Sequence, residues 1–123
     1  MAQVMVVDDE DILVELIAAL IEDLGHAAIG ATNGFEALNF LSQVEPPDLI
    51  ISDIMMPRMS GIELVRAIRA DARMQRVPII LMSAAGWPRP STVADGFIAK
   101  PFELDALANL IERSITECRL RRA

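Results

Sequence analysis

The sequence predicts an α/β domain built on a doubly wound, five-stranded parallel sheet, and three observations lead there. Short, wholly apolar runs alternate with longer stretches whose apolar residues recur every three or four positions. That is the pattern of strands buried on both faces and joined by crossover helices. The apolar runs end abruptly on polar residues, at Asp8, Asp53, Ser83 and Lys100. The chain has 123 residues, 53% of them hydrophobic and 24% charged, which is the size and composition of one ordinary domain.

The first strand is Val4-Met5-Val6-Val7, stopping at Asp8. Ile12, Leu13, Leu16, Ile17, Leu20, Ile21 and Leu24 then form the stripe of a first helix, with Gly25 as its stop. Ala27 to Ala31 is a weaker strand. Asn33-Gly34-Phe35-Glu36 has the form of a capping box opening a helix through Ala37, Leu38 and Leu41. Pro46-Pro47 breaks the chain before Leu49-Ile50-Ile51, a fully apolar strand ending at Asp53. Ser60-Gly61-Ile62-Glu63 is a second capping box, and its helix continues to about Ala72. Val77 to Met82 is the next strand, ending at Ser83, and Phe97-Ile98-Ala99 is the last, ending at Lys100. Leu104, Leu107, Ala108, Ile111 and Ile115 face a closing helix, with Cys118 on the same apolar stripe.

Bulk composition excludes several classes of function. Eighteen acids against eleven bases give a net charge of −7, which repels nucleic-acid phosphates and anionic membrane surfaces. Neither a P-loop nor a G-x-G-x-x-G string is present. Cys118 is the single cysteine, so no internal disulfide forms, in keeping with a reducing cytoplasm. The start Met1-Ala2-Gln3 has no basic region, and no apolar run is long enough to span a bilayer.

In an open parallel sheet all carboxyl ends lie along one edge, where ligands bind. Asp8, Asp9, Asp53, Ser83 and Lys100 are thereby expected to meet, although they span ninety positions. Three clustered carboxylates repel one another unless a cation sits among them. Hard oxygen ligands without His or Cys favour Mg²⁺. Lys100 and Ser83 offer donors for an anionic phosphoryl group, and an aspartate there is placed to attack phosphorus. Helix capping alone does not account for acids placed at strand ends.

Val6-Val7-Asp8-Asp9-Glu10, Ser52-Asp53-Ile54-Met55-Met56-Pro57, Met59-Ser60-Gly61 and Phe97-Ile98-Ala99-Lys100-Pro101-Phe102 together resemble the CheY-like receiver domains of bacterial response regulators. The likeness covers nearly the whole chain, with residues 1–118 as the receiver domain and 119–123 as a basic tail. It implies the strand order 2-1-3-4-5 and makes Asp53 the phosphoacceptor. It also implies Mg²⁺ held by Asp9, Asp53 and the Met55 backbone carbonyl, with Asp8 contributing. Ser83 and Lys100 would bind the phosphoryl group, Phe97 would be the aromatic switch, and Lys100-Pro101 would be a cis junction. The implied partners are a sensor histidine kinase or a histidine phosphotransfer protein, and a downstream output protein. The oligomeric state is left open.

The chain departs from that family in one place. Only sixteen residues separate Ser83 from Lys100, and Gly86, Pro88, Pro90 and Gly96 lie among them. This leaves room for about one turn, so the fourth helix is expected to be shortened or missing, with Trp87 either capping the core beside it or anchoring a partner. His26, in the turn after the first helix, reads as a surface residue. Two other readings compete. A phosphorylation-independent interaction module would not need the intact set of Asp8, Asp9, Asp53, Ser83 and Lys100. An aspartyl phosphohydrolase would carry a second acid where this chain has Met55.

Overall fold

Wholly apolar strands can be satisfied only by packing layers on both sides of the sheet, and the computed structural model, which describes residues 1–85 and 94–122, supplies them. Strands β1 (Gln3–Val7), β2 (Ala27–Ala31), β3 (Leu49–Asp53), β4 (Ile79–Ser83) and β5 (Gly96–Ala99) form one parallel sheet in the order β2-β1-β3-β4-β5. Alternate side chains go to opposite faces. Val4, Val6, Leu49, Ile51, Ile80 and Met82 meet Ile17 and Ile21 of helix α1 (Asp11–Asp23) and Leu107, Ile111 and Ile115 of helix α4 (Leu104–Arg122). Met5, Val7, Ile50, Ile79 and Leu81 meet Ala37 and Leu41 of helix α2 (Gly34–Leu41) and Leu64, Val65 and Ile68 of helix α3 (Gly61–Arg69). The doubly wound architecture and strand order expected from the sequence are those observed.

Helix boundaries follow local chemistry. At α3 the Ser60 hydroxyl accepts the Glu63 N–H while the Glu63 carboxylate accepts the Ser60 N–H, a complete capping box. At α2 the Asn33 side chain accepts the Glu36 N–H, but Glu36 reaches back to the Thr32 N–H rather than to that of Asn33. Gly25, at φ +90°, closes α1 in the left-handed region that its missing Cβ permits. The helix expected to reach Ala72 ends at Arg69, because the Asp71 carboxylate accepts the Arg73 N–H and starts a separate 3₁₀ turn, Ala72–Met74. The strand expected from Val77 begins at Ile79, after Pro78, which has no N–H to donate.

Among the described residues four α-helices flank the sheet, and none lies between Ser83 and Gly96. Gly86, Trp87, Pro88 and Pro90 fall outside the described residues, as does the packing role expected of Trp87. Among the described residues no helix is long and apolar enough to cross a membrane. His26 corrects the surface assignment. Its side chain is only 10% exposed, Nδ1 accepts the Ala2 N–H at 3.0 Å, and Nε2 lies 2.7 Å from Glu112. It ties the start of β1 and the α1–β2 turn to α4.

Candidate functional site

The parallel sheet puts the carboxyl ends of its strands on one edge, and the polar residues that end them gather there. The chain leaves β1 at Asp8, which is fully buried. Asp8 Oδ1 accepts the Glu10 N–H at 2.9 Å, fixing the turn into α1. Asp53 closes the middle strand β3 and is buried, whereas Asp9 is exposed. One carboxylate oxygen from each of Asp8, Asp9 and Asp53 lies within 4.8 Å of the others.

Lys100, immediately after β5, reaches across this cluster. Its ammonium is 2.8 Å from Asp8 Oδ2, 3.4 Å from Asp53 Oδ1 and 3.8 Å from Glu10 Oε1, and its side chain is 15% exposed. The Lys100 N–H donates to the Ser83 carbonyl, which holds the β5 exit against β4. The following Lys100-Pro101 bond is cis, as the motif implied. Glu10 is the addition to the set expected from the sequence. It stood inside the first motif, but nothing in its spacing signalled that Lys100 would come so near.

One ammonium among three carboxylates leaves the site short of positive charge. Burial raises the Asp53 carboxyl above its ordinary value, the neighbouring Asp8 charge raises it further, and Lys100 opposes both without prevailing. For Lys100, burial pulls the ammonium down. The hydrogen bond and charge of Asp8, followed by the charge of Asp53, outweigh that pull and leave it above its ordinary value. The Asp8 charge contributes to both shifts, second to burial at Asp53 and against burial at Lys100. The donor set fits a hard divalent cation: three carboxylates with no imidazole or thiolate among them. The Met55 carbonyl is a further free acceptor, since among the described residues it takes no hydrogen bond. Met55 is 67% exposed, while Met56 is buried and Met59 packs against the α2–α3 side of the core.

The other expected residues sit around this centre. Ser83 is buried at the end of β4, and its hydroxyl oxygen accepts the Ala85 N–H at 3.0 Å. That bond occupies an oxygen lone pair, and among the described residues the hydroxyl proton is left to donate elsewhere. Phe97 lies within β5 opposite Leu81 and packs partly buried against the α2–α3 core. Gly61 is a residue whose role the sequence concealed behind its capping box. A Cβ there would lie 2.3 Å from the Asp53 carbonyl oxygen and 2.8 Å from Ile54 Cα. The first turn of α3 therefore rests directly on the backbone of the buried acid, and the Gly61 N–H donates to the Ile54 carbonyl at 2.9 Å.

Comparison with known proteins agrees with this fold. A family model described as the response regulator receiver domain matches residues 4–112. The chain is similar to the response regulator Rre1 of Synechocystis sp., at 36% identity over 113 residues covering 87% of this chain and 48% of Rre1. It is similar to the solved signal receiver domain of a signal transduction histidine kinase from Syntrophus aciditrophicus, with a TM-score of 0.84 and 31% identity, covering 95% of this chain and 92% of that one. Chemotaxis response regulator CheY4 of Vibrio cholerae matches with a TM-score of 0.85 and 30% identity, over 93% of this chain and 98% of CheY4. The chain spans about half the length of the curated relatives it matches.

Proposed function

The chain belongs to the response regulator receiver domain family, and from that premise we propose that it accepts a phosphoryl group on Asp53. The donor is a sensor histidine kinase or a histidine phosphotransfer protein in the cytoplasm, and the product state controls a partner or output domain. The domain acts as a signalling phosphoacceptor and not as an enzyme turning over an outside substrate. The observation that carries this reading is the cluster of Asp8, Asp9 and Asp53 with the Lys100 ammonium bridging Asp8 and Asp53.

The chemistry follows from the charges. Asp53 offers a carboxylate oxygen that attacks phosphorus. One O–P bond forms as the P–N bond to the donor imidazole breaks, and the ring nitrogen leaves with the bonding pair. Lys100 balances charge on the phosphoryl oxygens, and Ser83 donates its free hydroxyl proton to one of them. Asp9, Asp53 and the Met55 carbonyl would hold Mg²⁺, with Asp8 beside them. Bound there, Mg²⁺ supplies the positive charge that lets the carboxylates stay ionised together beside an incoming anion. The phosphoryl group then biases a two-state element formed by Ser83 and Phe97.

Intact-mass measurement after incubation with acetyl phosphate tests this. The expected result is one added phosphoryl mass with Mg²⁺ present and none without it. Asp53→Asn is expected to stay unmodified. An unchanged mass for the wild type would favour a phosphorylation-independent interaction module, and equal labelling of the variant would move the acceptor elsewhere.

A further inference from the structure

A second constellation lies at the opposite edge of the sheet, where Arg69 ends α3. Its Nη1 donates to the carbonyls of Met74, Gln75 and Val77, at 3.2, 3.1 and 2.7 Å. Its Nη2 donates to Asp95 Oδ2 at 2.9 Å, with the Arg69 side chain 18% exposed and that of Asp95 33% exposed. Asp95, immediately before β5, is also bonded twice to Ile79, the first residue of β4. The Asp95 N–H donates to the Ile79 carbonyl at 2.8 Å, and Asp95 Oδ2 accepts the Ile79 N–H at 2.9 Å. One guanidinium thus joins the end of α3, the link into β4 and the entry to β5.

The placement matters because of what lies at the other end of α3. Its first residue, Gly61, leaves no room for a Cβ against the Asp53 carbonyl and is bonded to Ile54. Nine helical residues span roughly 14 Å, with Leu64, Val65 and Ile68 packed against the same core as Ile79, Leu81 and Phe97. A helix held at both ends and along one face moves as a unit, since packed interfaces shift between discrete arrangements and do not deform continuously. β5 is a short edge strand of four residues, which among the described residues pairs only with β4. Its position therefore depends on what grips its entry.

We propose that Arg69 and Asp95 form a clasp through which α3 passes a displacement at Asp53 and Ile54 to β5, the strand that carries Phe97 and leads to Lys100. Arg69 and Asp95 are positioning residues in this device. The route runs in addition to the direct one through Ser83, and it rests on Asp53 being the phosphoacceptor. Arg73 is the natural control: it donates to the Leu41 carbonyl at the same edge of the sheet without touching β5.

The test is hydrogen exchange at the amides of residues 96–99, with and without acetyl phosphate and Mg²⁺, on the full chain. The phosphorylated fraction is read by intact mass in the same samples. For the wild type, phosphorylation is expected to change exchange at these amides at least threefold. Arg69→Gln and Asp95→Asn are expected to keep phosphorylation of Asp53 within twofold while losing more than half of the exchange response. Arg73→Gln is expected to keep that response. A full response in both clasp variants, or an equal loss in Arg73→Gln, would overturn the clasp alone. Asp95→Asn keeps the shape and one acceptor oxygen, so it carries the test if Arg69→Gln fails to fold. Absence of any phosphoryl mass on the wild type would overturn the phosphoacceptor reading, and the clasp's signalling role with it.

Discussion

Asp53 is a buried acid whose carboxyl is raised by burial and by Asp8, and the sign of that shift has a measurable consequence. A group with a raised folded-state pKa stabilises the fold below its unfolded value, near 3.8, and loses that contribution as pH rises through the folded value. Ionised Asp53 therefore costs stability at neutral pH when no divalent cation is present. Asp53→Asn is expected to melt several degrees higher than the wild type at pH 7 in chelator, with the gap closing toward pH 4. A lower melting temperature for the variant at pH 7 would contradict the charge excess. Asp8 and Asp9 divide their work differently, because Asp8 is already engaged by Lys100 and the Glu10 N–H while Asp9 is exposed. Calorimetric titration is expected to show Asp9→Ala weakening Mg²⁺ binding at least about tenfold, and Asp8→Ala weakening it less. The reverse order would reassign the direct ligand. These acids were legible in the sequence because each ends an apolar run, a position fixed by strand polarity alone. His26 was not, since its partner Glu112 lies 86 positions away and nothing local marks it.

At the level of elements, burial of β1, β3 and β4 on both faces was readable because positions 4–7, 49–51 and 79–82 are apolar without a break, which a doubly covered sheet accommodates. The ends of elements were less readable. Asp71 diverts the backbone by capping its own turn, a side-chain acceptor competing with the helix, and Pro78 delays β4 because it has no N–H to donate. Ser60 and Glu63 announced the start of α3, but the reason Gly61 stands between them became visible only with Asp53 behind it. Gly61→Ala would force backbone apart at the junction of β3 and α3, since the atoms met are a carbonyl and a Cα and not the end of a flexible side chain. The expected cost is about 3 kcal/mol in denaturant unfolding, with slower phosphorylation of Asp53 in whatever fraction stays folded. A loss below about 0.5 kcal/mol would mean that the helix end is free to move away from the acid.

Across the whole molecule, the topology converts residues far apart in sequence into one charged edge, with Asp8, Asp9, Asp53 and Lys100 together and Ser83 beside them. The opposite edge carries the Arg69–Asp95 contact that binds helix and strand. The strand order was legible only through resemblance, because periodicity gives the number and direction of strands but not their neighbours. On the function proposed above, this edge makes an acyl phosphate at one residue. Borohydride reduction of the phosphorylated protein, followed by peptide mass mapping, tests it most directly, since an aspartyl phosphate is reduced to homoserine and an unmodified carboxylate is not. Homoserine is expected at position 53 after treatment with acetyl phosphate and Mg²⁺, and aspartate at positions 8 and 9. Homoserine at position 8 or 9, or none in a protein that has gained a phosphoryl mass, would contradict it.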